Sequence, residues 1–308
     1  RAHVLGASKP VSYGSAPLGA GLDPHSLEHD LFERPEQFLA GPQRSVPADP
    51  DRRIVGRREF VAAHLEAPGA PHGHGFTAAN LAAGTAYGTY DAPSRGGPSH
   101  GGGPLLRVIL LDTANLDGSS TGSLGVRQFA WLEEQLIACH SCYGGEDRLV
   151  VLASHHGLKT LSNLRQLRGG LEEDQPRVGA AEVAALLSRF GNVVCWLNGH
   201  RHENEIVARA GSGGGFWEIS TASIADWPSE GRLVELVDNQ DGTLSLLTTM
   251  VDHLGPPDPR DAEGLDRLAS LHRELAANVP GAGFGSLFEG TPADRNCELV
   301  LPAPFPVA

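Results

Sequence analysis

The order of apolar and polar positions along the chain predicts alternating strands and helices from residue 105 onward. Three continuous apolar runs rich in β-branched residues are typical of strands buried on both faces. These runs are 105–113, 148–153 and 193–198. Between them, apolar residues recur at helical spacing over 123–138 and 179–190, with Ser123 placed to cap the first helix and Gly191 to end the second. The alternation predicts parallel strands whose ligands gather at their carboxyl ends.

Beyond residue 204 the pattern becomes one of strands. They are expected at 205–208, 215–220 and 232–237. The sequence N-Q-D-G at 239–242 predicts a hairpin turn into one more strand. The two patterns together predict an α/β fold in which two sheets pack face to face with helices outside, ending at about residue 253.

The two ends of the chain differ from this central part. Residues 1–104 are rich in Gly, Pro and Ala and predict a loop-rich segment, with a single helix expected over 57–65. After a Pro-rich link, residues 254–308 predict a helix over 263–278 and an irregular tail. The expected organisation is therefore a loop-rich segment at 1–104, an α/β domain at 105–253, and a helix with a tail at 254–308.

Composition narrows the possible partners. The chain has 308 residues, with 24 Lys and Arg against 37 Asp and Glu, for a formal charge of -13. Because no basic surplus is available to neutralise a phosphate backbone, we expect no nucleic-acid binding. No apolar run is long enough to predict a transmembrane segment. Four cysteines are too few for a disulfide-built fold, so they do not indicate whether the protein lies in an oxidising or a reducing compartment. A signal peptide would precede Arg1.

Histidines follow two of the predicted buried strands. In the stretch V-V-C-W-L-N-G-H-R-H-E-N, Gly199 is expected to stop a buried strand and so to deliver His200 and His202 to the carboxyl edge of that strand, where the backbone turns tightly. The upstream stretch L-V-V-L-A-S-H-H-G has the same arrangement, with His155 and His156 after the strand. Such histidines are either metal ligands or hydrogen-bonded loop residues, and the two stretches alone leave both interpretations open.

An ordered set of motifs carries a family resemblance. S-H-H-G at 154–157 and N-G-H-R-H-E-N at 198–204 resemble the last two metal-binding motifs of the calcineurin-like metallophosphoesterase superfamily. L-D-T-A-N, Q-F-A-W-L and G-G-F-W-E-I-S-T-A-S-I-A-D-W-P resemble a bacterial branch of it. The resemblance implies a four-layer α/β/β/α sandwich. It also implies a phosphoric ester hydrolase with a dinuclear metal centre and a bridging hydroxide, acting on a phosphorylated small-molecule or lipid substrate.

The resemblance also assigns ligands. By motif, His155 and His200 are implied to bind one metal ion and His202 the other, with Mn, Fe or Zn all suited to imidazole. Strand alternation would send His156 to the opposite face from His155, so His156 is the candidate catalytic residue that meets a neighbour or the substrate.

Further residues are candidates for contact with substrate or for orienting a ligand. Arg201 offers a forked donor for a phosphate oxygen, although a solvated arginine on a turn is an equal alternative. Asn204 is a candidate to orient a ligand histidine through its amide. His74, in the loop P-H-G-H-G-F, is a candidate for the substrate side. Asp112 ends a predicted strand, where capping a turn is its expected role.

The superfamily's earlier motifs are missing from this chain. They are an Asp-x-His, a Gly-Asp and a Gly-Asn-His motif, and Asp23-Pro24-His25 is rejected because no strand precedes it. We therefore expect this chain to be the C-terminal part of a longer protein and to be inactive without the N-terminal half of its domain. One alternative is a β-rich module that binds a metal or ligand without catalysis. Another is a structural zinc site at Cys139, His140 and Cys142.

Overall fold

The helices and strands come from a computed structural model that describes residues 11–14, 43–53, 55–70, 72–92, 105–115, 118–166 and 176–307. The helices are α1 Arg57–Glu66, α2 Ala78–Ala83, α3 Val126–Ala138, α4 Ala180–Leu187 and α5 Gly264–Ala277. The first strands are β1 Val11–Gly14, β2 Gln43–Val46, β3 Gly88–Ala92, β4 Leu106–Leu110, β5 Leu124–Gly125 and β6 Leu149–Ala153. The others are β7 Arg177–Val178, β8 Val193–Asn198, β9 Glu205–Gly211, β10 Gly214–Ser220, β11 Gly231–Asp238, β12 Thr243–Val251 and β13 Cys297–Pro302. Asp23-Pro24-His25 lies outside the described residues.

A six-stranded sheet forms the centre of the molecule, in the order β3-β4-β6-β8-β10-β9. Strands β4, β6, β8 and β10 run parallel, and the edge strands β3 and β9 are antiparallel to their neighbours. The sequence prediction that the apolar runs form strands buried on both faces is confirmed for β6. Val150 and Leu152 pack in the core beneath α3 and α4, whereas Leu149 and Val151 pack in a second core on the opposite face.

A smaller sheet covers that opposite face. It has the order β11-β12-β13, with antiparallel neighbours. Leu244 and Leu246 of β12, together with Leu299 and Leu301 of β13, join Val151 in the second core. The described residues therefore form three layers: helices, the six-stranded sheet and the three-stranded sheet. This confirms the α/β class, with more than one sheet and several helices.

Several boundaries differ from the sequence prediction. Strands β9 and β10 extend the parallel sheet rather than the smaller antiparallel one. Strand β13 lies in the segment expected to be an irregular tail, where only two buried leucines alternate with exposed residues. Residues 55–92, expected to be loop-rich apart from one helix, contain α1, α2 and β3. Strand β3 pairs with β4, so the large sheet includes a strand that precedes residue 105.

The predicted helix ends also shift. Helix α3 begins at Val126 instead of Ser123, because Leu124 and Gly125 form strand β5, which pairs with β7. Helix α4 ends at Leu187, before Gly191. A Cβ on Gly191 would lie 2.1 Å from the carbonyl oxygen of Gly213, so this glycine permits a close backbone approach instead of ending the helix. The helix predicted over 263–278 is confirmed as α5.

Within the part of the chain that the structure describes, no helix has both the length and the apolar character needed to cross a bilayer.

Candidate metal centre

The carboxyl ends of the parallel strands meet at one edge of the large sheet. Strand β6 delivers His155 and strand β8 delivers His200 to this edge. Backbone hydrogen bonds hold the two chain segments side by side, because Ser154 N donates to the Leu197 carbonyl at 3.1 Å and Gly199 N donates to the His155 carbonyl at 3.1 Å. The sheet therefore positions both histidine motifs through its own backbone.

His155 and His200 turn their ring nitrogens toward each other. His155 Nε2 lies 3.0 Å from His200 Nδ1, and the ring centroids are 4.9 Å apart. With metal–nitrogen bonds of about 2.0–2.1 Å, two imidazoles on one tetrahedral ion have nitrogens about 3.3 Å apart. The observed separation thus suits a hydrogen bond between the rings, and a small shift makes it suit two ligands of one ion.

The backbone after β8 is unusual at the histidines themselves. His200 has φ 71° and His202 has φ 58°, both in the left-handed region, whereas Gly199 is not left-handed. Strand β8 ends at Asn198, so Gly199 follows the strand as expected, and the tight turn lies at the two histidines. A non-glycine residue held there costs on the order of 1 kcal/mol, and such residues cluster at functional sites.

A carboxylate fixes the third histidine. His202 Nδ1 is hydrogen-bonded to the carboxylate of Asp226, which lies in the segment after β10. A carboxylate at this position keeps the proton on Nδ1 and leaves Nε2 as a ligand atom. Sequence reasoning missed Asp226, although a carboxylate shortly after a strand that ends at the same sheet edge is the feature that would have found it.

His156 lies beside the pair but does not face the opposite way from His155. The rings of His155 and His156 are 4.7 Å apart, because strand β6 ends at Ala153 and its alternation does not reach them. The His156 ring is bonded through Nδ1 to the Thr113 hydroxyl at 2.7 Å and through Nε2 to the Ser120 carbonyl at 3.1 Å. Both ring nitrogens of His156 therefore have hydrogen-bond partners in the segment between β4 and β5, and its candidate role in catalysis stays a prediction.

Burial keeps the three clustered imidazoles neutral. Burial, followed by the nearby charges of His156, His155, His202 and Arg201, lowers the pKa of His200 to about 4. Burial first and His202 second lower the pKa of His155, and burial is also the main cause of a lowered pKa at His156. Neutral imidazole is the form that binds a metal, so the site needs no deprotonation near pH 7.

A buried glutamate, Glu218, is hydrogen-bonded to both segments that carry the histidines. Glu218 of β10 is 4% exposed, and its Oε1 accepts hydrogen bonds from Leu158 N at 2.8 Å and Asn198 Nδ2 at 3.2 Å. Its Oε2 accepts from Arg209 Nε at 2.7 Å. A Cβ on Gly157 would lie 2.4 Å from Glu218 Oε1. Glu218 therefore links the loop after β6 to the end of β8. Sequence reasoning missed it, although an acid between two apolar residues of a buried strand is the feature that would have found it.

Two residues of the N-G-H-R-H-E-N motif have other partners. Arg201 donates from Nε and one terminal nitrogen to the carboxylate of Glu203, each at 2.8 Å. The side-chain oxygen of Asn204 accepts from Ala222 N at 3.1 Å and from Arg232 at 3.1 Å. The Asn204 amide therefore ties the segments after β8 and β10 to β11, and it does not contact a ligand histidine.

The remaining candidates lie farther along the edge or away from it. His74 is exposed, and its ring packs on that of His64 with centroids 5.9 Å apart. Asp112 caps a turn as expected, because its Oδ1 accepts from Ala114 N at 3.0 Å, and its Oδ2 also pairs with Arg57 Nε at 2.7 Å. Neither residue takes part in the contacts among the clustered histidines described above.

The described residues contain one group of three potential ligands whose atoms lie within 4.8 Å of one another, namely His155, His156 and His200. No described Asp or Glu joins this group. The cysteine alternative gains no support within the same residues, because Cys139 is buried, Cys142 is exposed, and neither belongs to such a group.

Comparison with known proteins gives no family for this chain: no family model matches it, and no curated protein does. The resemblance to metallophosphoesterases therefore depends on the motif residues themselves. The geometry of the histidines is a separate observation, because the distances between rings do not follow from the motifs alone.

Proposed function

We propose that His155, His200 and His202 bind a divalent metal ion or ions, and that the protein is a phosphoric ester hydrolase of the dinuclear metal type. The observation that carries the proposal is the 3.0 Å approach of His155 Nε2 to His200 Nδ1 between two parallel strand ends. The lowered pKa values of both rings and the carboxylate on His202 Nδ1 support it, because they prepare neutral, oriented ligand atoms.

The residues fit one imidazole-bound ion better than a complete two-ion centre. Imidazole suits Mn, Fe and Zn without selecting sharply among them. His156 is close to the pair, but Thr113 and Ser120 occupy its ring nitrogens. No described carboxylate joins the histidine group, so the second ion of the proposal would take acidic ligands from beyond the described residues.

When bound, such ions lower the pKa of a bound water and neutralise phosphoryl oxygens. The chain's own residues have separate tasks. Asp226 holds the proton on His202 Nδ1, and Glu218 fixes the spacing between the two histidine loops. Arg201 is engaged with Glu203, so contact with a substrate would require it to leave that partner. The proposed substrate is a phosphorylated small molecule or lipid.

The four-layer sandwich belongs to the same proposal. The three layers formed by the described residues support it.

A second candidate is a module that binds metal without catalysis. It is favoured by one observation, which is that the ligand group of the described residues consists of imidazoles alone. Such a set binds Zn or related ions but lacks the bridging oxygen ligands of a hydrolytic two-ion centre.

Calorimetric titration of the metal-free chain with Zn and Mn tests the metal site. His200→Ala should weaken binding about 10- to 100-fold, because one of few ligands is lost. His72→Ala, at an exposed histidine outside the cluster, should bind like the original chain. Equal binding by the His200→Ala variant would overturn the metal proposal.

Hydrolysis assays then separate the two functions. With aryl phosphate monoesters and diesters, the 308-residue chain should show no turnover above its His200→Ala variant, because no described carboxylate completes the centre. The protein expressed from its natural gene should hydrolyse one of these esters and lose the activity in His200→Ala. Metal binding without any such activity in the natural protein would reject the hydrolase and favour the binding module.

A further inference from the structure

An exposed apolar surface lies beside the candidate metal centre. It begins in the segment after β10, where Asp226 is hydrogen-bonded to His202. Two large apolar residues flank Asp226, namely Ile224, which is 75% exposed, and Trp227, which is partly buried. A ligand of a metal ion on His202 would therefore lie close to the segment that carries both apolar side chains.

A second segment, which follows α5, extends this surface. The ring of Phe284 meets that of Trp227 edge to face, with centroids 5.8 Å apart. Phe284 is 79% exposed, and Leu287, three residues later, is 85% exposed. We call these residues, which are Ile224, Trp227, Phe284 and Leu287, the apolar rim.

Hydrogen bonds hold the two segments of the rim together. Glu289 Oε1 accepts from Trp227 Nε1 at 2.7 Å and from Gly285 N at 2.6 Å. The carbonyl oxygen of Phe288 accepts from Asn204 N at 3.1 Å, which ties the second segment to the end of the N-G-H-R-H-E-N motif. The rim is therefore positioned by polar contacts before a ligand arrives, so little ordering of the protein is lost from the affinity.

The chemistry of the rim favours an alkyl chain over a sugar or a nucleoside. Single exposed apolar residues are common, but several around one polar site are typical of a surface that binds an apolar group. The only polar atom in the four rim side chains is Trp227 Nε1, and it is engaged with Glu289. Hydroxyl groups of a ligand need matching donors and acceptors, whereas the rim offers apolar contact area.

We propose that the apolar rim binds the alkyl chain of a phosphoric ester whose phosphoryl group lies at the metal ion on His202. Such binding rests on the proposed function and narrows its substrate to an ester whose alcohol carries a long alkyl chain. Asp226 joins the two parts, because it is the partner of His202 and the neighbour of Trp227. The formal charge of -13 opposes docking on an anionic bilayer, so the ligand is a single lipid molecule.

Calorimetry of the 308-residue chain tests the rim with two probes, ethyl phosphate and monomeric octyl phosphate, in the presence of Zn. Complete burial of one methylene group multiplies affinity about fourfold. On an open rim the additional methylenes are partly buried, so octyl phosphate should bind at least about tenfold more tightly than ethyl phosphate. The double variant Ile224→Ser with Leu287→Ser should lower this ratio to less than about threefold.

Val300→Ser is the matched control. It makes a similar change at a residue of β13 that is 50% exposed and does not belong to the rim, so the ratio of the two affinities should not change. Because the substituted side chains are exposed, all variants should stay folded, and thermal unfolding checks this.

The metal centre and the rim have separate readouts in this experiment. His200→Ala should weaken the binding of both esters alike and leave their ratio unchanged, so equal affinities in this variant and the original chain would reject the metal centre alone. A ratio near one in the original chain, or an equal loss of the ratio in Val300→Ser, would overturn the rim. So would binding to phosphatidylcholine vesicles without affinity for monomeric octyl phosphate at up to about 1 mM.

Discussion

The histidine cluster and the arginine cavity, which is a space of about 240 Å³ between α1, α3 and β7, lie at the same edge of one sheet, yet they depend on different physics. They meet at consecutive residues, because Asp112 pairs with Arg57 of the cavity and Thr113 bonds to His156 of the cluster. The cluster consists of titratable groups whose pKa values burial lowers, whereas the lining of the cavity includes the permanent cations Arg57, Arg127 and Arg177 beside Asp112. A sheet edge thus gathers functional groups, and the elements that cover each part decide which chemistry it has.

The two regions also differ in what supports them. The histidines lie on short loops, and Glu218 is hydrogen-bonded to the loop after β6. There is no room for an added Cβ between Gly157 and Glu218. The arginines reach the cavity on long side chains from α1, α3 and β7. We therefore expect the cluster to be more sensitive to packing than the cavity.

The largest expected change in stability comes from adding one methyl group at Gly157, beside Glu218. In Gly157→Ala the new Cβ would lie 2.4 Å from Glu218 Oε1 and 2.5 Å from Asn198 Nδ2, so buried groups must move. We expect a loss of about 1–3 kcal/mol in the free energy of unfolding, with weaker Zn binding. Urea unfolding and calorimetry measure these effects.

Gly199→Ala is the control for this substitution. Its Cβ would meet only the Thr221 carbonyl oxygen at 3.7 Å, an ordinary contact, in the same motif as His200. It should cost less than about 1 kcal/mol. Equal loss of stability in both variants would show that the packing under Gly157 is not special.

An intermediate effect is expected from Asp226→Asn. The amide oxygen can still accept from His202 Nδ1 but without negative charge, so we expect Zn affinity to fall about tenfold, with little change in stability. Calorimetry measures this affinity, and Asp238→Asn, at a turn away from the edge, should leave it unchanged. A normal Zn affinity in Asp226→Asn would remove Asp226 from the site.

The smallest effect is the pH dependence of the metal-free protein. The folded pKa of His200, about 4, lies below its ordinary value of 6.5, so the unfolded chain binds more protons between these pH values. Stability from this group is complete above about pH 6.5 and is lost as the pH falls toward 4. After allowance for the partial exposure of His200, we expect the free energy of unfolding to be lower at about pH 5 than at about pH 7.5 by on the order of 1 kcal/mol. Urea unfolding at the two pH values measures this difference.

The same measurement distinguishes the two regions. His200→Gln should reduce the slope of stability against pH, whereas Arg127→Gln should keep the slope of the original chain, because arginine does not titrate in this range. A slope unchanged by His200→Gln would mean that other groups cause the acid sensitivity.

The sequence predicted the elements of the large sheet well because their apolar runs are long and bounded by turn residues. Strand β8 was predicted with its observed bounds, and β6 to within one residue. Strand β3 was missed because its five residues, G-T-Y-D-A, carry no apolar run. Asp91 of β3 pairs with Arg107 at 2.7 Å and Arg148 at 2.9 Å, and such ion pairs between distant residues leave no local pattern.

The sequence by itself determined that His155, His200 and His202 follow buried strands, because strand periodicity and parallel order send those strand ends to one edge. Only the tertiary structure decided that the rings of His155 and His200 meet, that Thr113 and Ser120 occupy His156, and that Asp226 binds His202. The arginine cavity was likewise invisible in the sequence, since its three arginines are up to 120 positions apart. The physical reason is that hydrogen bonds and charge fields act over distances in space, whereas sequence patterns report only neighbours along the chain.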